Sequence, residues 1–438
     1  MPERIYKEWK HYNKQRDISL FDFVKMAVKN NLWFWHPAKQ LKFIGITGTN
    51  GKTSTAILIE SIFNSAQIDV ALISTLAYRF KGIDLVADLT TPGPVKLHHL
   101  LSRIVTADIK HVVMETSSHG LAQNRLEGVI FNTAVFTNLS HDHLDYHLSM
   151  ERYFEAKLQL FQQLDSADGR AIVNMDDIAS KKIIQKTNVP FVTYGVHAKA
   201  DLTVQDVQVQ ATDISFLVLT PYGNLPIHLQ SSGEYNIYNV LAAIGVAQLY
   251  GCGNEQIING IESTRIPGRF EPIDCGQDFT VIVDFAHSPD ALKHLLYSAK
   301  KTTRNRLICV FGCNGDRDQL KRPVMGRIGV EIADYPIITT GNPRSESTDQ
   351  IFDDIIQGIP NGNKYQLIPD RKSAIKRALE IADAGDTVVI AGKGCQKYQE
   401  IGDHRIPFDD ADVVRSLLDG LFESVSYTHL TLPTKRIV

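Results

Sequence analysis

Short apolar segments alternate with helical patterns along most of the chain, and this alternation strongly constrains the fold. The segments are almost continuously apolar, which is typical of parallel strands covered on both faces. Strands of this kind followed by helices predict an α/β fold with mostly parallel sheets. The predicted strands are 42–47, 111–115, 131–137, 280–284, 307–311, 336–340 and 387–391, and the main predicted helices are 52–63, 150–164, 291–300 and 373–384.

The pattern divides the chain into two large units. Polar and apolar residues alternate over 191–229, which predicts antiparallel strands attached to the first unit, and a helix is expected over 235–250. Pro267 and Gly268 then predict a hinge. We therefore expect a central domain over 42–266 and a C-terminal domain over 267–425. Residues 1–41 form a short N-terminal segment, and 426–438 break the preceding pattern and are expected to be a disordered or non-native tail.

Composition and charge restrict the classes of function. The chain has 438 residues with 46 Lys and Arg against 49 Asp and Glu, so a net charge of −3 gives no reason to expect a nucleic-acid or membrane-surface binder. The five cysteines show no zinc-finger spacing and are interpreted as reduced thiols of a cytoplasmic protein. The polar N-terminus predicts no signal peptide, and no apolar run is long enough for a transmembrane helix.

A glycine-rich loop lies between the first predicted strand and the first predicted helix, the context that a phosphate-binding loop requires. Its residues are Thr47, Gly48, Thr49, Asn50, Gly51, Lys52 and Thr53. The glycines would let backbone N–H groups approach phosphate oxygens, Lys52 would neutralise phosphate charge, and the Thr53 hydroxyl would bind Mg²⁺. Ile46 stands where the strict pattern has Gly, so an ordinary glycine-rich turn remains the alternative.

Three further features carry candidate chemistry. Glu115 ends a predicted strand, where it is either a magnesium ligand or an ordinary polar residue. The histidine-rich segment 141–147 resembles a dinuclear zinc motif, but Tyr146 separates Asp145 from His147 and breaks the required spacing. We expect one or two functional histidines there, with a structural cluster as the alternative. On its own, Lys157 is interpreted as a solvated helix lysine.

Ten motifs in one order carry a resemblance to a known family. They are GITGTNGKTSTA, TTPGP, METSSHGLAQNRLEG, FTNLSHDHLDYHLSMERYFEAK, GEYNIYNVLAA, PGRFEPID, VDFAHSPDAL, FGCNGDRDQLKRPVMG, GNPRSES and AGKG. The chain resembles the Mur ligase family, specifically its members that add a diamino acid to a UDP-muramoyl dipeptide in peptidoglycan synthesis. The resemblance implies a UDP-binding domain, a central P-loop-type ATPase domain and a C-terminal Rossmann-like domain. It also implies that ATP phosphorylates a substrate carboxylate and that an amine then attacks the acyl phosphate.

The resemblance also assigns residues of the central domain and the nucleotide site. It implies that Thr53, Glu115 and His143 hold Mg²⁺, and that Lys157 is carbamylated and becomes a further ligand, which reverses the solvated-lysine interpretation. The positions matching those that hold the UDP-muramoyl dipeptide are Thr90, Thr91, Ser117, Gln123 and Arg125. The positions matching the nucleotide side are Asn236, Asn239, Arg269, Asp284 and His287. Helix capping by the two asparagines and a structural role for His287 remain alternatives.

The diamino-acid pocket implied by the resemblance contains Arg317, Gly341, Asn342, Pro343, Arg344, Gly392 and Gln396. Arg344 suits the distal carboxylate of meso-diaminopimelate, which L-lysine lacks. The chain departs from the family pattern at two places, with Gly341 where Asp is usual and Cys395-Gln396 where His-Glu is usual. We expect meso-diaminopimelate as the substrate, with L-lysine as the alternative.

Fewer residues precede Gly48 than in the family. The uridine-binding domain is therefore expected to be reduced, which leaves a non-UDP acceptor as an alternative and a non-catalytic nucleotide-binding protein as a third hypothesis. Trp33, Phe34 and Trp35 are interpreted either as core residues or as a remnant stacking surface. We expect a cytoplasmic monomer that acts on small molecules.

Overall fold

The computed structural model describes residues 37–428, with side chains as far as residue 420. Most of the predicted N-terminal segment, including Trp33, Phe34 and Trp35, and residues 429–438 of the predicted tail lie outside the described residues. A short 3-10 helix at Pro37–Gln40 leads into the first strand. Among the described residues, no helix is both long and apolar enough to cross a membrane.

The first lobe is built on a sheet of eight strands in the order β4-β3-β2-β5-β1-β6-β7-β8. Six neighbouring strands of this sheet, β2, β5, β1, β6, β7 and β8, pair in parallel. At the β2 edge, β3 and β4 are added in antiparallel pairing. The strands are β1 Lys42–Thr47, β2 Val70–Ile73, β3 Ala77–Phe80, β4 Ile83–Val86, β5 His111–Glu115, β6 Thr133–Phe136, β7 Arg170–Asn174 and β8 Phe191–Tyr194. Apolar clusters cover both faces, which explains the continuous apolar runs.

An antiparallel sheet of three strands, in the order β11-β10-β9, completes the first lobe. Its strands are β9 Thr203–Val209, β10 Ile214–Leu219 and β11 Leu225–Leu229. The expectation of antiparallel strands from residue 191 onward is wrong at its start, because β8 pairs in parallel with β7. Residues of this sheet pack into the same apolar cluster as the helices beside it.

The second lobe contains a sheet of six strands in the order β12-β13-β17-β14-β15-β16, parallel except for β12. Its strands are β12 Glu271–Ile273, β13 Thr280–Asp284, β14 Leu307–Phe311, β15 Tyr335–Ile338, β16 Gln366–Leu367 and β17 Thr387–Ala391. A hairpin follows, made of β18 Tyr398–Ile401 and β19 His404–Pro407. Apolar clusters again lie on both faces, so the predicted α/β fold with mostly parallel sheets is confirmed.

Helices flank both sheets, and several of them begin at a side-chain cap or a proline. Ser149 and Ser288, for example, accept hydrogen bonds from backbone N–H groups at the starts of two helices. The helices are α1 Lys52–Ser65, α2 Pro94–Thr106, α3 Ser118–Ala122, α4 Leu144–His147, α5 Met150–Gln162, α6 Ala179–Lys186, α7 Tyr235–Leu249, α8 Asn254–Glu262, α9 Pro289–Thr302, α10 Lys321–Ile332, α11 Thr348–Ile356, α12 Arg371–Glu380 and α13 Asp410–Thr428.

Candidate active site

The carboxyl ends of β5, β1 and β6 meet at one edge of the first sheet, because these neighbouring strands are parallel. Ile46 on β1 lies opposite Glu115, the last residue of β5. The glycine-rich loop follows β1, and the histidine-rich segment follows β6. The topology therefore brings together three motifs that are far apart in the sequence, at the edge where α/β proteins build their sites.

Two glycines of the loop are required by its conformation and its surroundings. Gly51, which precedes α1, has φ of +83°, and an added Cβ would lie 2.4 Å from Asn239 Oδ1. At Gly48, an added Cβ would lie 1.8 Å from Thr137 Oγ1. The loop is held in place by a hydrogen bond from the Asn50 N–H to Asn138 Oδ1 at 2.9 Å. Backbone N–H groups at the start of α1 are thus kept free of side-chain obstruction, as phosphate binding needs.

Two lysines converge on one carbonyl oxygen of this loop. Lys52 Nζ donates to the carbonyl oxygens of Gly48 and Thr49, both at 2.9 Å, and Lys157 Nζ donates to the Gly48 oxygen at 2.7 Å. Burial, together with the nearby Lys52 charge, holds the pKa of Lys157 well below its usual value. Burial also lowers the pKa of Lys52, although Glu115 opposes this. Lys157 is 1% exposed, so the solvated-lysine interpretation is wrong.

Glu115 is a fully buried carboxylate at the same edge. Its two oxygens accept hydrogen bonds from Thr75, one from the backbone N–H at 2.8 Å and one from the hydroxyl at 3.2 Å. The Thr53 hydroxyl lies 3.3 Å from Arg269 Nη2. Within residues 37–428 there is no preformed group of three or more His, Cys, Asp and Glu side chains at metal-binding distances. The carboxylate of Glu115 and the hydroxyl of Thr53 are nevertheless the kinds of oxygen donor that a hard cation such as Mg²⁺ prefers.

His143 occupies an unusual backbone position in the histidine-rich segment. Its φ is +57°, and its backbone N–H donates to Asp142 Oδ1 at 3.0 Å. Burial lowers the pKa of the His143 imidazole, which keeps the ring neutral and able to bind a metal. His147 differs, because its Nε2 lies 2.9 Å from the Ser118 hydroxyl inside the protein. His119, which the sequence did not single out, packs its ring 4.8 Å from that of His143.

The predicted acceptor-binding residues form a network that leads to Glu115. Thr91 donates its hydroxyl to the Glu115 backbone oxygen at 2.8 Å and accepts from the Ser117 N–H at 2.8 Å. Arg125 Nη1 donates to the Thr91 carbonyl at 2.8 Å, and its Nε and Nη2 donate to Gln123 Oε1 at 3.0 and 2.6 Å.

Thr90 joins this network through Thr75, because Thr90 Oγ1 lies 3.0 Å from the Thr75 hydroxyl oxygen. Thr75 also donates to both Glu115 oxygens. All five predicted acceptor-binding residues are therefore connected to Glu115, some directly and the others through a chain of hydrogen bonds.

The predicted nucleotide residues lie on both lobes. Asn236 and Asn239 are buried in α7, and Asn239 Nδ2 donates to Asn236 Oδ1 at 3.0 Å. Neither asparagine caps the helix, since the residue at that position is Glu234. The alternative of helix capping is therefore wrong.

Arg269, Asp284 and His287 come from the second lobe. The Arg269 guanidinium packs 4.3 Å from the Phe285 ring centroid, and its buried Nε has no hydrogen-bond partner among the described residues. Asp284 accepts from the backbone N–H groups of Phe270 and Ala286, both at 2.7 Å, while burial raises its pKa. Burial lowers the pKa of His287 to about 4. This unpaired guanidinium N–H is able to donate to a further acceptor.

The carboxyl ends of the parallel strands β14, β15 and β17 meet at one edge of the second sheet and carry the predicted diamino-acid residues. Arg344 Nε donates to Glu400 Oε2 at 2.9 Å, and its Nη1 donates to the Gly315 carbonyl at 2.9 Å. Burial lowers the pKa of Arg317, and the nearby positive charge of Arg344 lowers it further. Two neighbouring guanidinium groups are an arrangement that a carboxylate would stabilise.

The remaining residues of this pocket sit in tight backbone turns. An added Cβ at Gly341 would lie 2.6 Å from Asn314 Oδ1, so glycine fits here where the family usually has Asp. Pro343 follows Asn342, whose Nδ2 donates to Gln396 Oε1 at 3.1 Å. The Gly392 N–H donates to the Asp284 carbonyl at 3.0 Å and so ties the pocket to β13.

The two sheet edges face each other across direct contacts between the lobes. Asn50 Nδ2 lies 3.3 Å from Asp290 Oδ2, and His141 Nε2 lies 3.2 Å from Asp318 Oδ2. Asp142 Oδ1 and Lys321 Nζ, both largely buried, are 3.8 Å apart. Lys321 and Lys393 lie inside motifs that carried the resemblance, but nothing in their spacing singled them out.

Comparison with known proteins assigns both lobes. Residues 46–247 match the Mur ligase middle domain, and residues 268–394 match the Mur ligase glutamate ligase domain. The UDP-N-acetylmuramoyl-L-alanyl-D-glutamate--2,6-diaminopimelate ligase of Nostoc sp. is 43% identical over 391 residues, which cover 88% of this chain and 79% of that protein. The protein of the same name from Bacillus licheniformis is 41% identical over 396 residues, covering 89% and 81%.

Solved structures agree. A structure of a UDP-N-acetylmuramoyl-L-alanyl-D-glutamate--2,6-diaminopimelate ligase superposes with a TM-score of 0.62 at 36% identity, covering 87% of this chain and 79% of that one. A folylpolyglutamate synthase from Mycobacterium tuberculosis has a TM-score of 0.67 at 17% identity, covering 88% and 92%, which is a likeness of fold alone. The domain matches, the relatives and the geometry at the two sheet edges lead to one conclusion: this chain belongs to the Mur ligase family.

Proposed function

We propose that the protein is an ATP-dependent amide ligase that joins meso-diaminopimelate to UDP-N-acetylmuramoyl-L-alanyl-D-glutamate in peptidoglycan synthesis. The observation that carries this proposal is the facing pair of sheet edges. One presents the loop with Lys52 and the buried Glu115, and the other presents Arg317 and Arg344. Relatives at about 40% identity that cover most of the chain carry this activity in their names.

The reaction divides into two steps. An oxygen of the acceptor carboxylate first attacks the γ-phosphorus of ATP, the bond to the bridging oxygen breaks, and ADP leaves. The amine nitrogen of the diamino acid then attacks the carbonyl carbon of the acyl phosphate, phosphate leaves, and the amine loses its proton. Lys52 would move from the loop carbonyls to the phosphate oxygens and neutralise the charge that builds there. Arg269, beside Thr53, would reach the nucleotide from the second lobe.

Thr53, Glu115 and His143 are the residues of this chain that would hold Mg²⁺. The bound metal would neutralise phosphate charge and so favour the first step. A protonated Lys157 would weaken Mg²⁺ binding, because its ammonium charge repels the metal ion.

We assign Lys157 as the site of carbamylation. Burial and the nearby Lys52 charge favour its neutral amine, the form that attacks CO₂. A bond forms between Nζ and the carbon of CO₂ as one C=O π bond opens, a proton leaves Nζ, and the neutral amine becomes an anionic carbamate that suits Mg²⁺. Protein supplied with ¹³C-bicarbonate should give a carbamate carbon signal that Lys157→Arg lacks; equal signals from both would contradict the assignment.

The remaining assignments follow the two lobes. Residues 42–266 would bind ATP and the acceptor dipeptide, and residues 267–425 would bind the diamino acid. We also assign a monomer in the cytoplasm that binds no nucleic acid, which agrees with the net charge of −3. Gel filtration of the full chain would test the monomer directly.

Phosphate release by the purified protein tests the main proposal. We expect release with ATP, Mg²⁺, the UDP-muramoyl dipeptide and meso-diaminopimelate together, and little release when the dipeptide is omitted. L-lysine in place of diaminopimelate should support much slower release. Lys52→Ala is the negative control. Release that never depends on the dipeptide plus an amino acid would overturn the proposal.

A further inference from the structure

A chain of hydrogen bonds in the second lobe fixes the orientation of the Gln396 amide. Lys393 Nζ donates to Asn342 Oδ1 at 2.9 Å, and the backbone N–H of Glu400 donates to the same oxygen at 3.1 Å. Neither an ammonium group nor a backbone N–H can accept, so this atom of Asn342 has to be the oxygen. The other side of the Asn342 amide is therefore the NH₂ group.

The orientation of Gln396 follows from that of Asn342. Asn342 Nδ2 donates to Gln396 at 3.1 Å, so the atom of Gln396 that faces it is the acceptor Oε1. Asn342 and Lys393 are fully buried, which leaves them no water with which to exchange these bonds. The free end of the Gln396 side chain is consequently Nε2, a donor of two hydrogen bonds.

A Glu at position 396 would present a hydrogen-bond acceptor where Gln396 presents the donor Nε2. One carboxylate oxygen could still accept from Asn342, and the second oxygen would offer a negative acceptor to a substrate ammonium. Gln396 keeps the first bond and replaces that acceptor by a donor. Glu400 contacts Asn342 through its backbone N–H. Its carboxylate accepts from Arg344 Nε at 2.9 Å and from Arg405 Nε at 3.1 Å, so both of its oxygens are engaged by guanidinium groups.

We infer that Gln396 is a specificity-determining residue that makes the pocket select the distal carboxylate of the diamino acid while giving little recognition to the distal ammonium. Arg344, Arg317 and the Gln396 NH₂ group are all donors, which suit a carboxylate and not a cation. Lys393 and Asn342 are positioning residues that keep the amide in this orientation. This inference rests on the proposed function and extends it to the class of amino acid: a seven-carbon α-amino dicarboxylic acid, with or without the second amine.

Three amino acids separate the contributions of the two distal groups. The probes are meso-diaminopimelate, 2-aminopimelate, which keeps the distal carboxylate but has no distal amine, and L-lysine, which has the amine but no carboxylate. For the full-length protein we expect kcat/KM for 2-aminopimelate within about threefold of that for diaminopimelate. L-lysine should be at least tenfold poorer, because it offers the guanidinium groups no distal carboxylate to bind.

The variant Gln396→Glu tests the role of the residue itself. It should raise the preference for diaminopimelate over 2-aminopimelate at least tenfold, mainly through KM, because it restores an anionic acceptor for the ammonium. Gln357→Glu makes the same chemical change at an exposed helix end and should leave the ratio unchanged. Since the change at position 396 is isosteric, an unchanged melting temperature would show that the variant folds.

The outcomes are distinct. Strong discrimination against 2-aminopimelate by the unaltered protein, or an unchanged ratio in Gln396→Glu, would overturn this inference while leaving the proposed function intact. Turnover with none of the three amino acids would overturn both.

Discussion

Asp142 and Lys321 form an ion pair that crosses from the first lobe to the second, with 3.8 Å between Oδ1 and Nζ. Both side chains are about 95% buried, since their exposed fractions are 6% and 5%. Asp142 also accepts from the backbone N–H of His143 at 3.0 Å. One carboxylate therefore connects the arrangement of the lobes to the backbone of a proposed magnesium ligand.

Removing the charge of Asp142 should impair turnover. Asp142→Asn leaves Lys321 buried without its counter-ion. This destabilises the contact between the lobes by on the order of 1–3 kcal/mol. We expect kcat/KM to fall at least tenfold in the phosphate-release assay. His141→Gln is the comparison variant: His141 is 47% exposed although its partner Asp318 is 5% exposed, so water reaches the side chain that is changed, and a pair with one exposed member should contribute about 1 kcal/mol. Equal effects of the two variants would contradict the importance of burial.

A methyl group at Gly51 should strongly reduce ATP turnover. Its φ of +83° disfavours any side chain by about 1–2 kcal/mol, and the new Cβ would lie 2.4 Å from Asn239 Oδ1. We expect Gly51→Ala to lower ATP turnover at least tenfold.

Gly82→Ala separates backbone strain from the steric clash. Gly82 has a similar φ of +74°, but an added Cβ there meets no atom within 4 Å. This variant should lose about 1 kcal/mol of unfolding free energy in urea titration and keep its turnover. A comparable loss of turnover would mean that strain alone explains the effect at Gly51.

Lys393 should contribute to stability in a way that increases with pH. Burial, with a contribution from Arg371, lowers its pKa from 10.5 to about 8 in the folded protein. Between these two values the unfolded chain binds more protons than the folded protein. The free energy of unfolding therefore rises with pH, by at most about 1.4 kcal/mol per pH unit from this group.

Urea unfolding at pH 7 to 10 would measure this contribution. Lys393→Met should show a smaller rise than the unaltered protein, because the residue that titrates is gone. Lys372→Met, at an exposed position in α12, should retain the full rise. Identical pH profiles for the Lys393 variant and the unaltered protein would rule out the lowered pKa.

Glu400 should affect the affinity for the diamino acid through Arg344. Its carboxylate fixes the guanidinium by accepting from Nε at 2.9 Å. Charge-assisted hydrogen bonds contribute about 1.5–3 kcal/mol, so Glu400→Gln should raise KM for diaminopimelate about tenfold and change kcat little. Arg405→Gln removes the more exposed partner of Glu400 and should change KM about twofold or less. A fall in kcat with unchanged KM would contradict the positioning role.

Several central strands could be predicted from the sequence because both of their faces are buried, although β2 and β7, which are equally buried, were not predicted. β1, β5, β13, β14 and β17 have the predicted bounds to the residue. The pair β3 and β4 was missed, since its strands have four residues each and β4 alternates between half-buried and exposed positions. The position of β8 was misjudged because Phe191 is exposed and the strand lacks a continuous apolar run.

Residues of the candidate site could be predicted where a short stretch of sequence is enough to identify them. The glycine-rich loop and Glu115 could be identified from their place after apolar strands. Lys157 could not, because a lysine on a helix carries no sign of its burial, and only the family resemblance singled it out. The pair of Asp142 and Lys321 and the orientation of Gln396 depend on contacts between distant parts of the chain, which no local pattern encodes.

The carbonyl oxygen of Gly48, shared by the side-chain nitrogens of Lys52 and Lys157, would make the proposed carbamylation of Lys157 depend on the nucleotide. When Lys52 turns toward phosphate, the electrostatic repulsion that Lys157 experiences changes with it. If the bound nucleotide changes the affinity of Lys157 for CO₂ by some factor, thermodynamic reciprocity requires that CO₂ bound at Lys157 changes the affinity for the nucleotide by the same factor. Dissolved carbon dioxide would in this way act as an effector of ATP binding through a single backbone oxygen.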